Sequence, residues 1–202
     1  TAISTNATTA AFSVLDFFGS PDTPFARITY KDAIRVLQQS GHPFAFPPTL
    51  GRPLQTEHEL FLTNIHFNAT PTFVYNYPKH IKPFYMKTNG DGGSSSGSDP
   101  LEKGLETVAC VDLLVPNFAE LAGGSLREDD YDILKQNISN LEDGSSSNIE
   151  PSLQWYLDTR KYGSTPHGGF GLGFDRYVQF VTNTKNIRDV VLFPRYFNHC
   201  LY

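Results

Sequence analysis

Cysteine, methionine and tryptophan are scarce in this chain, and it has no surplus of basic residues. Two cysteines, Cys110 and Cys200, are too few for a disulfide framework and suggest a reducing compartment. With Lys and Arg together at 16 against 21 Asp and Glu, the net charge is −5 and offers no bulk attraction to nucleic acid or an anionic membrane. No apolar run approaches the ~18 residues of a spanning helix, so no membrane role is expected. The first residues, Thr1 to Thr9, have neither the basic start nor the apolar centre of a signal peptide. The chain begins at Thr1 rather than methionine, which leads us to expect a fragment or a processed form.

Glycine, by contrast, is concentrated. In His167-Gly168-Gly169-Phe170-Gly171-Leu172-Gly173-Phe174-Asp175-Arg176, four glycines fall in six positions and a helical pattern follows, with Phe174, Val178 and Val181 as its expected apolar stripe. Arg176 sits in the first turn of that helix, where free N–H groups already attract anions. Such a turn suits a phosphate-bearing ligand; a tight turn packed on itself, with Arg176 solvated, is equally compatible with the local pattern. A dinucleotide fingerprint is excluded, since Phe174 stands where the third glycine is needed, and no P-loop lysine follows.

A second stretch, Asp112 to Glu128, starts inside a strand-like apolar run and continues through Asn117, Glu120, Gly123-Gly124-Ser125 and Arg127. Asp112 within that run is costly unless its carboxylate is paired or holds a metal. Glu120 and Arg127 bracket what reads as a Gly-Gly turn. Carboxylates of this kind suit a magnesium–nucleotide site, because Mg²⁺ takes oxygen ligands and keeps several waters. The competing reading is a Glu120–Arg127 salt bridge. His58-Glu59 invites a zinc-protease motif, but Leu62 occupies the place of the second histidine.

Along the chain, strands are expected at 25–30, 72–77, 83–88, 107–115 and 187–192, and helices at 11–18, 31–39, 56–64 (capped by Thr56), 127–141 and 152–162, the last carrying Trp155 toward the core. Gly- and Ser-rich loops cover 89–100 and 143–147. The cluster Lys79, His80 and Lys82 reads as solvated. Hairpin-length links favour α+β with a largely antiparallel sheet.

Together the two stretches resemble the carboxyl half of a class II aminoacyl-tRNA synthetase catalytic domain, of the aspartyl/asparaginyl/lysyl subgroup and its asparaginyl branch. The glycine stretch ending in Arg176 resembles the class's motif 3. The likeness runs from about Pro24 to Arg195, through Phe25-Ala26-Arg27-Ile28-Thr29-Tyr30, Glu57-His58-Glu59, Tyr77-Pro78-Lys79, Phe84-Tyr85-Met86, Trp155-Tyr156-Leu157-Asp158, Asn186-Ile187-Arg188-Asp189 and Phe193-Pro194-Arg195. Residues 1–23 then form a lead-in segment and 24–202 the catalytic-domain portion.

The resemblance implies the class II fold, an antiparallel sheet flanked by helices, and ATP-dependent activation of asparagine followed by transfer to tRNA(Asn). It implies that Arg176 contacts ATP, that Asp112 and Glu120 hold Mg²⁺ and nucleotide, that Gly169, Gly171 and Gly173 form a floor beneath ATP, and that Arg127 faces the side chain of the amino acid. It also implies a homodimer in the parent protein. Motifs 1 and 2 and the anticodon-binding domain, which the family carries upstream, do not occur in Thr1–Thr23, so these residues alone are not expected to charge tRNA. Leu126 and Leu192 depart from the family's usual glutamine and proline. The Ala-Gly-Gly-Ser-Leu-Arg wording resembles fungal mitochondrial versions, which implies the mitochondrial matrix, with the cytoplasm as alternative. Aspartyl-tRNA synthetase, a synthetase-like asparagine synthetase, and a non-catalytic paralogue used for binding or assembly are the competing functional readings.

Overall fold

The computed structural model describes residues 24–90, 105–140, 151–198 and 200. The expected helix at 11–18, the lead-in segment, and most of both Gly/Ser loops lie outside these residues.

Strand β1 (Ala26–Thr29) runs directly into helix α1 (Tyr30–Gln39), because Thr29 ends the strand and caps the helix, its hydroxyl accepting from the Asp32 N–H at 3.1 Å. Tyr30, Ala33, Ile34 and Leu37 are the buried face of α1, as their spacing requires. Helix α2 (Thr56–Phe61) is capped by Gln55 rather than by Thr56: Gln55 and His58 close a reciprocal capping box, with the Gln55 N–H donating to His58 Nδ1 at 3.1 Å. That leaves His58 Nε2 to donate to the Phe46 carbonyl at 2.7 Å, so this buried imidazole ties a loop to a helix start. A π-turn, Leu62–His66, continues α2.

Strands β2 (Thr72–Tyr75), β3 (Cys110–Val115), β4 (Ala119–Leu126) and β5 (Gly168–Leu172) complete a five-stranded sheet in the order β1-β2-β3-β4-β5. The β1–β2 pair is parallel and the other three pairs are antiparallel. Ile28, Val74, Cys110 and Leu114 pack against Tyr30, Ala33, Ile34, Leu37 and Leu62 in the main core. Helices α3 (Tyr131–Ser139) and α4 (Pro151–Lys161) share a smaller core of Leu134, Ile138 and Leu157, and α5 (Phe174–Thr182) is rooted by Phe180 against Val115 and Leu121. Among the described residues no helix is long and apolar enough to cross a membrane.

Several elements differ from the sequence expectation, each for a local reason. Residues 83–88 form no strand, only isolated bridges from Met86 to Arg127 and from Thr88 to Val108, since the chain turns at Pro83 with the Met86 N–H on its carbonyl. Helix α3 starts at Tyr131, not Arg127, because Asp130 accepts from the Asp132 and Ile133 N–H groups. Residues 187–192 hold a 3-10 turn, Ile187–Asp189, capped by Asn186, where a strand was expected. Trp155 is 66% exposed and is not core; Leu157 fills that role. On α5 Gln179 and Phe180 are buried and Tyr177 packs beside Phe180, while Phe174 is 68% exposed, Val181 is exposed and Val178 only half-buried, so the stripe through Phe174, Val178 and Val181 is not the packed side.

Candidate active site

Gly123-Gly124 is not a turn. Strand β4 passes straight through it, and the glycines are there for clearance: a β-carbon on Gly124 would stand 2.8 Å from Phe170 Cβ and 2.9 Å from the Gly169 carbonyl. Glu120 and Arg127 therefore lie near opposite ends of one strand, roughly 20 Å apart at about 3.3 Å per residue. No ion pair joins them among the described residues, which removes the salt-bridge reading.

The register decides which side chains share a face. Asp112 pairs with Gly123, which pairs with Gly171; Ser125 pairs with Gly169. Directly paired residues project to the same side, so Gly123, Ser125, Gly169 and Gly171 make a nearly bare surface on the Asp112 side. Between Leu113 and Leu114 the register slips, and Leu114 pairs with Glu120 while Leu121 is left over. That bulge matters, because a one-residue slip exchanges faces. Without it, Glu120 would point away from Asp112. With it, both carboxylates turn to the gap over Gly123, where a β-carbon would stand 3.0 Å from Asp112 Oδ1 and 3.1 Å from Glu120 Oε1.

The other oxygen of Asp112 is committed. Lys82 Nζ donates to Oδ2 at 2.6 Å, with both side chains mostly buried, and lies 3.9 Å from the centre of the Tyr77 ring. Lys82 is thus part of the site and not a solvated lysine, whereas Lys79 pairs with Glu106 and His80 reaches the Gly51 carbonyl. Glu59 comes from α2, 61 residues before Glu120, and its carboxylate accepts the Glu120 N–H at 3.3 Å. Burial first, and then the Glu120 and Asp112 carboxylates, push its acid up to about 7, against the Glu120 N–H and Arg176, which pull it down. Burial, reinforced by Asp112, likewise pushes the Tyr77 hydroxyl well above its ordinary value. Glu59 and Lys82 are the members of the site that the sequence did not single out. Glu59 stands out only in a rejected zinc motif and in the family likeness, and Lys82 only in a basic cluster of a kind common on surfaces.

Arg176 stands in the first turn of α5, beyond its cap residue Gly173, and its Nη1 donates to the Glu120 carbonyl. Gly173 in turn donates to the Leu121 carbonyl at 3.0 Å, which stitches the start of α5 to the bulge. Glu120, Leu121, Gly171, Gly173, Phe174, Asp175, Arg176 and Ile187 line an open cleft of about 250 Å³. At the far end of the floor the Arg127 guanidinium lies 4.4 Å from the centre of the Tyr85 ring and beside Gly169, where a β-carbon would come within 3.3 Å of Nη2. Between the two ends Ser125 is buried, and its hydroxyl has no hydrogen-bond partner among the described residues.

The structure thus gathers Asp112, Glu120, Gly171, Gly173 and Arg176 at one end of a single face and Arg127 with Gly169 at the other. A carboxylate pair, a cation at a helix start, a flat floor and a second cation can bind an extended anionic ligand. Among the described residues no three carboxylate, histidine or cysteine groups close on one point. A magnesium ion here would take one oxygen from each of Asp112 and Glu120 and complete its shell with water and ligand oxygens, which fits the habits of that ion.

The chain as a whole is similar to known proteins. A family model described as tRNA synthetases class II (D, K and N) matches residues 2–196. The chain belongs to this family. It is 48% identical over 177 residues to the "Asparaginyl-tRNA synthetase" of Mus musculus, covering 88% of this chain and 33% of that protein. A "Probable asparagine--tRNA ligase, mitochondrial" of Dictyostelium discoideum is 47% identical over 89% of this chain and 35% of its own length. Among solved structures, asparaginyl-tRNA synthetase from Pyrococcus horikoshii complexed with asparaginyl-adenylate superposes with a TM-score of 0.69 at 41% identity, over 90% of this chain and 37% of that one. The class II synthetase chain therefore spans about a third of the length of the curated relatives it matches.

Proposed function

We propose that this chain is the nucleotide- and amino-acid-binding portion of an asparagine–tRNA ligase, which activates asparagine with ATP and passes it to tRNA(Asn). The observation that carries the reading is the single face on which two carboxylates meet over Gly123, with Arg176 beside them and Arg127 at the other end of a glycine floor. The names of the relatives support the choice of amino acid.

In this reading the asparagine carboxylate attacks the α-phosphate of ATP, the bond to the β-phosphate breaks, and pyrophosphate leaves. The carboxylate is already an adequate nucleophile, so no protein base is needed. The gain comes from holding two anions in line and from fixed charge that stabilises the crowded phosphate. Arg176 binds the nucleotide's phosphates, with Gly171 and Gly173 leaving room for it to lie flat. Asp112 and Glu120 would hold Mg²⁺, which would offset charge on the phosphates. Arg127, held against Tyr85, donates to the side-chain carbonyl of asparagine.

Titration calorimetry with a non-hydrolysable asparaginyl-adenylate analogue tests the reading on this chain. Binding that weakens tenfold or more in both Arg127→Ala and Arg176→Ala supports it. Preference for the aspartyl analogue would transfer the site to the aspartyl branch, and no binding to either would remove the reading. In a full-length protein carrying this chain, ATP–pyrophosphate exchange with asparagine against aspartate makes the same choice. We further propose a homodimer, tested by light scattering of that protein, and the mitochondrial matrix as its compartment. The latter is supported by the residues 122–127 and by the Dictyostelium relative, and fractionation of the tagged protein separates it from the cytoplasm.

A further inference from the structure

Lys82 enters the site from outside its strands, at the end of the 3-10 turn Lys79–Ile81. Its side chain is 17% exposed, and the ammonium is caught between Asp112 Oδ2 at 2.6 Å and the face of Tyr77 at 3.9 Å. A lysine held on two sides in this way is a fixed charge, unlike a mobile one in solvent. It stands directly across the Asp112 carboxylate from the gap over Gly123, to which Oδ1 and Glu120 Oε1 are turned. Around that gap the charged groups are Glu59, Asp112 and Glu120 against Lys82 and Arg176, so three carboxylates and two cations leave at most one net negative charge.

These facts bear differently on two forms of magnesium. A bare divalent ion meets only two protein oxygens and a fixed positive charge one carboxylate away, at a distance over which like charges repel strongly in a partly buried setting. A magnesium–nucleotide complex brings its own phosphate oxygens and its own negative charge, which Lys82 and Arg176 attract. We propose that Lys82 prevents the site from holding a resident divalent cation, so that magnesium enters only together with the nucleotide. The inference rests on the magnesium–nucleotide reading of Asp112 and Glu120 given above.

The test is titration of the chain with Mn²⁺ alone, followed by the electron paramagnetic resonance signal of the free ion, for the wild type, Lys82→Gln and Lys82→Arg. The glutamine keeps a hydrogen-bond donor for Asp112 and removes the charge; the arginine keeps the charge. Lys82→Gln is expected to bind Mn²⁺ at least tenfold more tightly than the wild type, and Lys82→Arg within about twofold of it. Unchanged or weaker binding by Lys82→Gln, equal tightening by Lys82→Arg, or micromolar binding of bare Mn²⁺ by the wild type overturns the proposal. A residue that merely neutralises Asp112 would lower the melting temperature on substitution and leave Mn²⁺ affinity where it was. Should circular dichroism show Lys82→Gln unfolded, Lys82→Met carries the same titration. A parallel series with a non-hydrolysable ATP analogue keeps the two failures apart: absence of nucleotide-dependent Mn²⁺ binding in the wild type strikes the nucleotide reading, not the role of Lys82.

Discussion

One face of one sheet is used in two ways. Over β1, β2 and β3 it carries Ile28, Val74, Cys110 and Leu114, which vanish under α1 and α2. Over β4 and β5 the same face carries Gly123, Ser125, Gly169 and Gly171, and β5 is almost wholly exposed. Asp112 stands at the border, core-like in its burial and site-like in its partners. The first half of the sheet supplies apolar burial, which makes the second half affordable: a five-residue strand with three glycines contributes little packing and must be held in place by its neighbours. If so, substitutions in the first half should act on stability, and those in the second on ligand binding.

The largest effect belongs to the covered half. Leu114 is fully buried in the core cluster. Leu114→Ala should cost about 2–5 kcal/mol, from lost transfer energy and the cavity left behind. Urea denaturation of the chain measures it, and a loss under about 1 kcal/mol would mean the core is not where the stability lies.

Next comes the border. Burial raises the Glu59 carboxyl to about 7, above the ordinary range, with Glu120 and Asp112 adding to the shift. The native state therefore holds this proton more tightly than the unfolded chain does. The stability linked to it is complete below about pH 4.5 and is lost as pH rises through about 7. Glu59→Gln removes the titration. The variant should match the wild type near pH 5 and exceed it near pH 8 by on the order of 2 kcal/mol. Melting curves at the two pH values decide, and equal differences at both would show that Glu59 is ionised throughout.

Much of the covered half was legible in the sequence, since its signals are local. The 3.6 period of Ala33, Ile34 and Leu37 and the apolar run of Cys110 to Val115 describe α1 and β3 well. The exposed half was legible in composition but not in geometry. The clustered glycines stood out, but Gly123-Gly124 read as a turn, because the usual reason for paired glycines is a turn and the reason here is clearance between strands. The bulge at Leu121 leaves no trace in a list of residues, although it alone puts Glu120 beside Asp112. Lys82 and Glu59 reach their partners across 30 and 61 residues, beyond any local pattern. Phe174, Val178 and Val181 fit a helical stripe, but Tyr177 and Phe180 fit another, and periodicity could not choose the side that packs.

Within the exposed half Gly124 faces away from the floor and against β5. A β-carbon there meets Phe170 Cβ at 2.8 Å and backbone at 2.9 Å, and backbone cannot yield as a flexible side chain does. Gly124→Ala should push β5 away and cost about 1–3 kcal/mol. It should also raise hydrogen exchange at the β5 amides before those of β3. Uniform exchange across the sheet would place the strain elsewhere.

Gly171 is the smallest case in stability and the most informative. It lies on the floor opposite Gly123, and a β-carbon added to it meets nothing within 4 Å. Nothing in the fold excludes a methyl group there, so Gly171→Ala should change stability by no more than about 0.5 kcal/mol. The same methyl projects into the space where the ligand is proposed to lie, next to the cleft that Gly173 and Arg176 line. A planar group resting on the floor would have to rise by the thickness of that methyl, losing close contact and the alignment of its phosphates with Arg176. Binding of the adenylate analogue should then fall at least tenfold, about 1.4 kcal/mol, with unchanged melting. The two measurements on one variant separate the uses of the face directly. A fall in melting with unchanged affinity would make Gly171 a packing residue of β5, and the bare half of the sheet would need another explanation than a ligand.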